Sequence, residues 1–143
     1  MTIARITANR SPADIIACEA NTQVRDVVKL LATKRIGAVP ILENGQVVGI
    51  FSERDVIYRL ADEGEVCMTR PVSQVMTAPA ISVEETTTID DALSLMTKRR
   101  IRHLPVLDNG ALKAFISIGD LVKTKMDEVE HEAEAMRSYI QTA

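Results

Sequence analysis

Residues 36–57 read IGAVPILENGQVVGIFSERDVI, and residues 101–122 read IRHLPVLDNGALKAFISIGDLV. Laid over one another without a gap, at an offset of 65 from Ile36 to Ile101, they share seven identities. These are Ile36/Ile101, Pro40/Pro105, Leu42/Leu107, Asn44/Asn109, Gly45/Gly110, Ser52/Ser117 and Asp55/Asp120. Upstream, the same offset aligns Thr22 with Thr87, Asp26 with Asp91 and Val28 with Leu93. Self-similarity at a fixed period marks one structural unit used twice. The chain is a tandem duplication.

Each copy follows one grammar. An apolar run comes first, residues 15–18 (IIAC) or 80–83 (AISV), and predicts a strand. A helical pattern follows, with Val24, Val27, Val28 and Leu31 spaced i, i+3, i+4, i+7 and matched by Ile89, Ala92, Leu93 and Met96. Thr22 and Thr87 stand at the expected N-caps. Two apolar runs then flank Asn44-Gly45 and Asn109-Gly110, the dipeptide that favours a tight hairpin because both residues accept positive φ. A second helix starts at Glu53 and at Ile118. The fold class is therefore α/β (α+β), with two β-α-β-β-α repeats. A repeat of fifty-odd residues buries little surface alone, so the copies are expected to pack sheet to sheet about a pseudo-twofold axis. Clefts between them are the expected ligand sites. The first repeat is placed at residues 8–66, a linker at 67–74, the second repeat at 75–128 and a helical tail at 129–143.

Composition narrows the function classes. The chain has 143 residues, 46% hydrophobic and 3% aromatic, with a net charge of −3. This excludes disorder, and the acidic balance disfavours general nucleic-acid binding. No apolar run is long enough for a membrane span, and the N-terminus has no apolar core of a signal peptide, so a cytoplasmic protein is expected. Cys18 and Cys67 lack partners at metal-ligand spacing and are read as reduced thiols. No nucleophile elbow, metal-binding helix or phosphate loop is present, so no catalytic residues and no metal are expected.

The repeated Ser-x-x-Asp, Ser52 to Asp55 and Ser117 to Asp120, carries more chemistry. Serine at an N-cap with an acid three residues later is a capping box. Alternatively, a carboxylate one turn into a helix and facing a cleft can accept both hydroxyls of a ribose, with the serine and nearby amides taking a phosphate oxygen. Spacing leaves both readings open.

Gly49-Ile-Phe-Ser52-Glu-Arg-Asp55, the Val39-Pro40 and Leu104-Pro105 strands and Val75-Met76-Thr77 resemble the cystathionine β-synthase (CBS) domain pair, or Bateman module, over roughly residues 8–128. The resemblance implies a non-catalytic regulatory module that binds an adenosine nucleotide such as AMP, ADP, ATP, NAD or S-adenosylmethionine. AMP would be the first candidate and energy sensing the context, with no cofactor required. It makes Asp55 and Asp120 the ribose acceptors, Ser52 and Ser117 their companions, and Thr22 and Thr87 ribose or phosphate contacts. Ile36, Gly37, Ala38 and Val39 before Pro40, and Ile101 through Leu104 before Pro105, would line an adenine slot. Arg102 and His103, whose counterparts are Gly37 and Ala38, fall where the family holds phosphates, and Arg54 is a lesser candidate. Ala114 replaces the glycine of the first copy and is expected to narrow the second cleft.

Met126, Val129, Ala133, Met136 and Ile140 form an apolar stripe on the tail, which predicts an intermolecular helix contact in a dimer, the alternative being a C-terminal helix that packs back on its own domain. The resemblance likewise implies a homodimer and an unknown regulated protein. The competing reading is a ligand-free oligomeric interaction protein in which the Ser-x-x-Asp motifs only cap helices.

Overall fold

The computed structural model describes residues 1–142. A short helix α1 (Ala4–Thr7) precedes the first repeat, which runs β1 (Cys18–Glu19), α2 (Val24–Lys34), β2 (Ala38–Glu43), β3 (Gln46–Ser52) and α3 (Glu53–Glu63). The second repeats the order: β4 (Val83–Glu84), α4 (Ile89–Arg99), β5 (His103–Asp108), β6 (Ala111–Ser117) and α5 (Ile118–Thr142). Each repeat has its own three-stranded sheet, with the central strand parallel to the first and antiparallel to the third. The hairpins close as their sequences require: Asn44 and Gly45 have φ of 52° and 78°, and Asn109 and Gly110 have 49° and 84°. A register shift recurs at Ile41/Leu42 and at Val106/Leu107, so even the irregularities are duplicated.

The periodic helical residues face the cores. Val24, Val27 and Leu31 are buried against one sheet, and Ile89, Ala92 and Met96 against the other. β3 lies against β6 where the repeats meet.

Two expectations change in detail. The apolar runs at 15–18 and 80–83 contribute only their last residues to β1 and β4. The helices are preceded by Gln23 and Thr88, one residue later than Thr22 and Thr87, and only Thr88 caps, through Oγ1 to the Asp91 N–H at 3.0 Å. The Thr87 hydroxyl instead accepts from the Glu84 N–H at 3.1 Å, and both threonines also bond through their backbones. The Thr22 carbonyl accepts from Val72 N–H at 2.7 Å, and the Thr87 carbonyl accepts from Ile3 N–H at 2.9 Å.

Those two bonds expose an exchange between the repeats. Ile3 is buried in the core of the second repeat, while Val72 and Val75 are buried in that of the first. Each repeat is thus completed by the segment that leads into the other. The stretch 67–74 is therefore more than a connector: Cys67 and Val72 are fully buried. The tail is not separate either, because α5 continues unbroken from the second repeat. No helix among the described residues is long and apolar enough to cross a membrane.

Candidate functional site

Both Ser-x-x-Asp motifs cap helices, and each still leaves carboxylate oxygen to spare. Ser52 N–H donates to Asp55 Oδ2 at 2.8 Å, and Asp55 N–H donates to Ser52 Oγ at 3.4 Å. The other oxygen, Asp55 Oδ1, accepts from Thr77 Oγ1 at 3.0 Å. In the second copy, Ser117 N–H donates to Asp120 Oδ2 at 2.9 Å and Asp120 N–H to Ser117 Oγ at 3.2 Å. The helix amides expected to take phosphate are largely engaged. Glu53 N–H donates to the Gly37 carbonyl at 3.0 Å, and Ile118 N–H to the Arg102 carbonyl at 2.8 Å.

The first cleft gathers residues from both repeats. Gly37, Ala38, Ile50 and the Ser52-to-Asp55 turn come from the first, and Thr77, Pro79, Ala80, Ile81 and residues 100–103 from the second. Arg102 therefore shares a cleft with Asp55. Arg54 also lines it, but Nη1 is spent on the Arg100 carbonyl at 2.8 Å. The cleft is narrow, about 110 Å³, and the reason lies at Gly49. Ile50 and Thr77 exchange backbone hydrogen bonds of 3.0 and 2.9 Å, and a Cβ on Gly49 would stand 2.9 Å from the Thr77 carbonyl oxygen. The glycine is required by this close approach.

The second cleft is built from the equivalent positions: Ile15, Ile16, Ile36, Phe115, Ser117 and Asp120, with Arg10, Ser11 and Asp14 on the approach. Its volume is about 450 Å³. The narrowing expected from Ala114 is thus reversed. Ala114 stands where the first repeat has Gly49 and lines this cleft, and no bridge equivalent to Ile50–Thr77 forms among the described residues. Arg10 instead reaches Asp120, with Nη2 to Oδ1 at 2.7 Å and Nη1 to Oδ2 at 3.2 Å. Burial acts to raise the Asp120 carboxyl, but the bonds from Arg10 and the Ser117 N–H outweigh it and hold the group below the usual carboxylate range.

His103 and Ala38, themselves counterparts, line both clefts. The imidazole stacks on Phe115 with centroids 5.5 Å apart and planes 10° from parallel. Burial first, then the charge of Arg102, holds His103 below its ordinary pKa against the opposing pull of Glu53 and Asp120.

Of the residues singled out from sequence, Gly37, Ala38, Ser52, Arg54, Asp55, Ile101, Arg102 and His103 meet in the first cleft. Ile36, Ala38, His103, Ser117 and Asp120 meet in the second. Thr22, Thr87, Val39, Pro40, Leu104 and Pro105 line neither. Strand alternation explains two of these absences: Val39 and Leu104 point opposite to Ala38 and His103, into the cores. Sequence reasoning missed Thr77, Ala80, Ile81, Arg10, Ile15 and Ile16. The apolar runs read as strands were the signal, since their first residues wall the clefts instead of joining the sheets. Cys18 and Cys67 are free thiols, and no cluster of potential metal ligands occurs among the described residues.

The family model of the CBS domain matches twice, at residues 9–62 and 72–127. A CBS domain-containing protein of Bacillus subtilis, YhcV, is 31% identical over 106 residues, 74% of this chain and 75% of its own. The crystal structure of a CBS-domain protein of Agrobacterium tumefaciens superposes with a TM-score of 0.81 at 31% identity, covering 87% of this chain and 99% of that one. The structure of CBSX2 in complex with AMP has the same fold, with a TM-score of 0.75 at 22% identity over 88% and 96% of the two chains.

Proposed function

This chain belongs to the CBS-domain family, two copies of which fill most of it, and from that premise we propose that it is a non-catalytic regulatory module whose first cleft takes an adenosine nucleotide. One observation carries the reading: a carboxylate oxygen left over from a helix cap and a basic wall from the other repeat converge on one apolar slot. A relative of the same fold is described in complex with AMP. Asp55 Oδ1 accepts the ribose hydroxyls in place of Thr77 Oγ1. Gly37, Ala38, Ala80 and Ile81 pack on the base. Arg102 and His103 meet the phosphate, where a guanidinium offers charge-assisted bonds. A ligand held this way bridges the repeats, so occupancy changes how they pack and a partner protein reads the change. Among the nucleotides, AMP is the first choice, with ADP, ATP, NAD and S-adenosylmethionine as alternatives. The apolar residues exposed on α3 and α5, Ile57, Tyr58, Val122 and Met126 among them, are proposed to meet a second copy in a homodimer.

The capping boxes do form, which is what the ligand-free interaction reading requires, so the test must separate the two. A thermal-shift screen of the five ligands does so. A ligand at a hundredfold excess over Kd stabilises by about 2.7 kcal/mol, a rise of roughly 6–12 °C for a chain of this size. Asp55→Ala should remove the part of the shift that comes from the first cleft. Arg102→Ala should weaken AMP roughly ten- to hundredfold by calorimetry and leave adenosine little changed. No shift with any ligand, or equal losses for AMP and adenosine in Arg102→Ala, would overturn the corresponding assignment.

A further inference from the structure

α5 has two working faces. Leu121 and Thr124 are buried in the second repeat, and Lys125 and Glu128 bond to Asp90 and to the N-terminal ammonium on the same side. Val122, Met126, Val129, Ala133, Met136 and Ile140 run down the opposite side, and all but the half-buried Ala133 are strongly exposed, from 44% at Val122 to 70% at Ile140. Their spacing alternates four, three, four, three, four. That is the 3.5-residue repeat of a coiled-coil seam, with Val122, Val129 and Met136 at d and Met126, Ala133 and Ile140 at a. A helix that only lay against its own domain would need no such second seam.

The flanking charges select the orientation. In a parallel pair, each g residue faces the e residue five positions on in the other helix. Lys125 then faces Glu130 of the partner subunit, and Glu132 faces Arg137 of the partner subunit; both pairs attract. In an antiparallel pair overlapping along the same seam, e meets e and g meets g. Glu130 and Glu132 would each face their own copies, and Lys123 would face Arg137 of the partner subunit. All three contacts repel.

We propose that α5 forms a parallel, in-register two-stranded coiled coil with α5 of a second copy, setting the two second repeats side by side about a twofold axis along the coil. The seam from Val122 to Ile140 spans about 27 Å, short for a coil standing alone, and the attached domains hold its upper end. The inference rests on the homodimer reading and is independent of nucleotide binding.

Cysteine cross-linking of the full chain tests it. In a Cys18→Ser background, with Cys67 fully buried, Met126→Cys and Met136→Cys place thiols at an a and a d position toward opposite ends of the seam, which face their own copies in the parallel coil and each other in an antiparallel one. The parallel coil brings each to its own copy, so either variant alone should form a covalent dimer under mild oxidation. Cross-links only when the two variants are mixed would mean an antiparallel pair and overturn the proposal while leaving the dimer standing. No cross-link and a monomer by sedimentation would overturn both. As a second arm, Glu132→Arg or Arg137→Glu alone should weaken the dimer roughly five- to tenfold, and the two together should restore it. Failure of the double variant to recover would refute the parallel register.

Discussion

Replacing Arg10 by alanine removes a guanidinium that donates to both oxygens of Asp120, at 2.7 and 3.2 Å. The two side chains are 36% and 26% exposed, so water screens the pair without dissolving it. Exposed ion pairs contribute about 0.2–1 kcal/mol, and hydrogen bonds to charged groups about 1.5–3 kcal/mol. This partly shielded, two-pronged pair belongs near the boundary, at about 1 kcal/mol. Two outcomes follow. Arg10→Ala should melt about 2–5 °C lower than the parent. It should also bind a ribose better in the second cleft, because a diol no longer has to displace the guanidinium from Asp120. Returning about 1 kcal/mol to binding is roughly a fivefold gain in affinity. Calorimetry with adenosine in an Asp55→Ala background reads the second cleft alone, and the absence of phosphate keeps the lost cation from offsetting the gain. Adenosine binding that stays unchanged or weakens in Arg10→Ala would refute the view that Arg10 occupies the ribose acceptor.

Gly49→Ala should cost about 1–3 kcal/mol, as overpacking does, because its methyl would meet the Thr77 carbonyl that Ile50 holds; Ala114→Gly should cost no more than about 1 kcal/mol. Urea denaturation compares them, and a Gly49→Ala loss within about 0.5 kcal/mol would contradict the close-approach argument. The Asp120 carboxyl is held low in the folded state, so on acidification the unfolded chain takes up its proton first. The stability gap between the parent and Arg10→Ala should therefore hold steady above the ordinary carboxylate pKa of about 3.9 and shrink as pH falls through the folded value. A gap that persists into strong acid would show that the ion pair is not its source.

The duplication made the architecture legible, because the identities at Pro40/Pro105, Asn44/Asn109 and Asp55/Asp120 sit where geometry tolerates little else. The positive φ of each Asn-Gly turn and the inward faces of α2 and α4 follow from local rules that sequence states directly. What stayed hidden was contact between distant segments. Nothing local to Val72 says that its N–H meets the Thr22 carbonyl, or that Ile3 enters the core of the second repeat. The same limit hid the carbonyls of Thr22 and Thr87, which anchor exchanged segments. It also concealed Thr77. Thr77 belonged to a motif that marked the family, but nothing in that motif says that its hydroxyl reaches Asp55.

The two clefts diverged through their approaches more than through their motifs. Ser52/Asp55 and Ser117/Asp120 remain nearly superimposable in chemistry, each spending one oxygen on its own helix. The difference enters with the segment that crosses the cleft. Glycine at position 49 lets Thr77 bond to β3 and offer Asp55 a neutral hydroxyl, which a ribose can replace at small electrostatic cost. In the second copy Pro12 stands where the first has Thr77 and has no N–H to give the strand, no such bridge forms among the described residues, and Asp120 is met by Arg10, a cation that a neutral sugar replaces only by breaking a charge pair. Arg102 adds its charge to the first cleft and not the second. The clefts nevertheless do not act in isolation, because the imidazole of His103 is a wall of both and rests on Phe115, itself part of the second. The asymmetry between the clefts therefore lies across a shared partition.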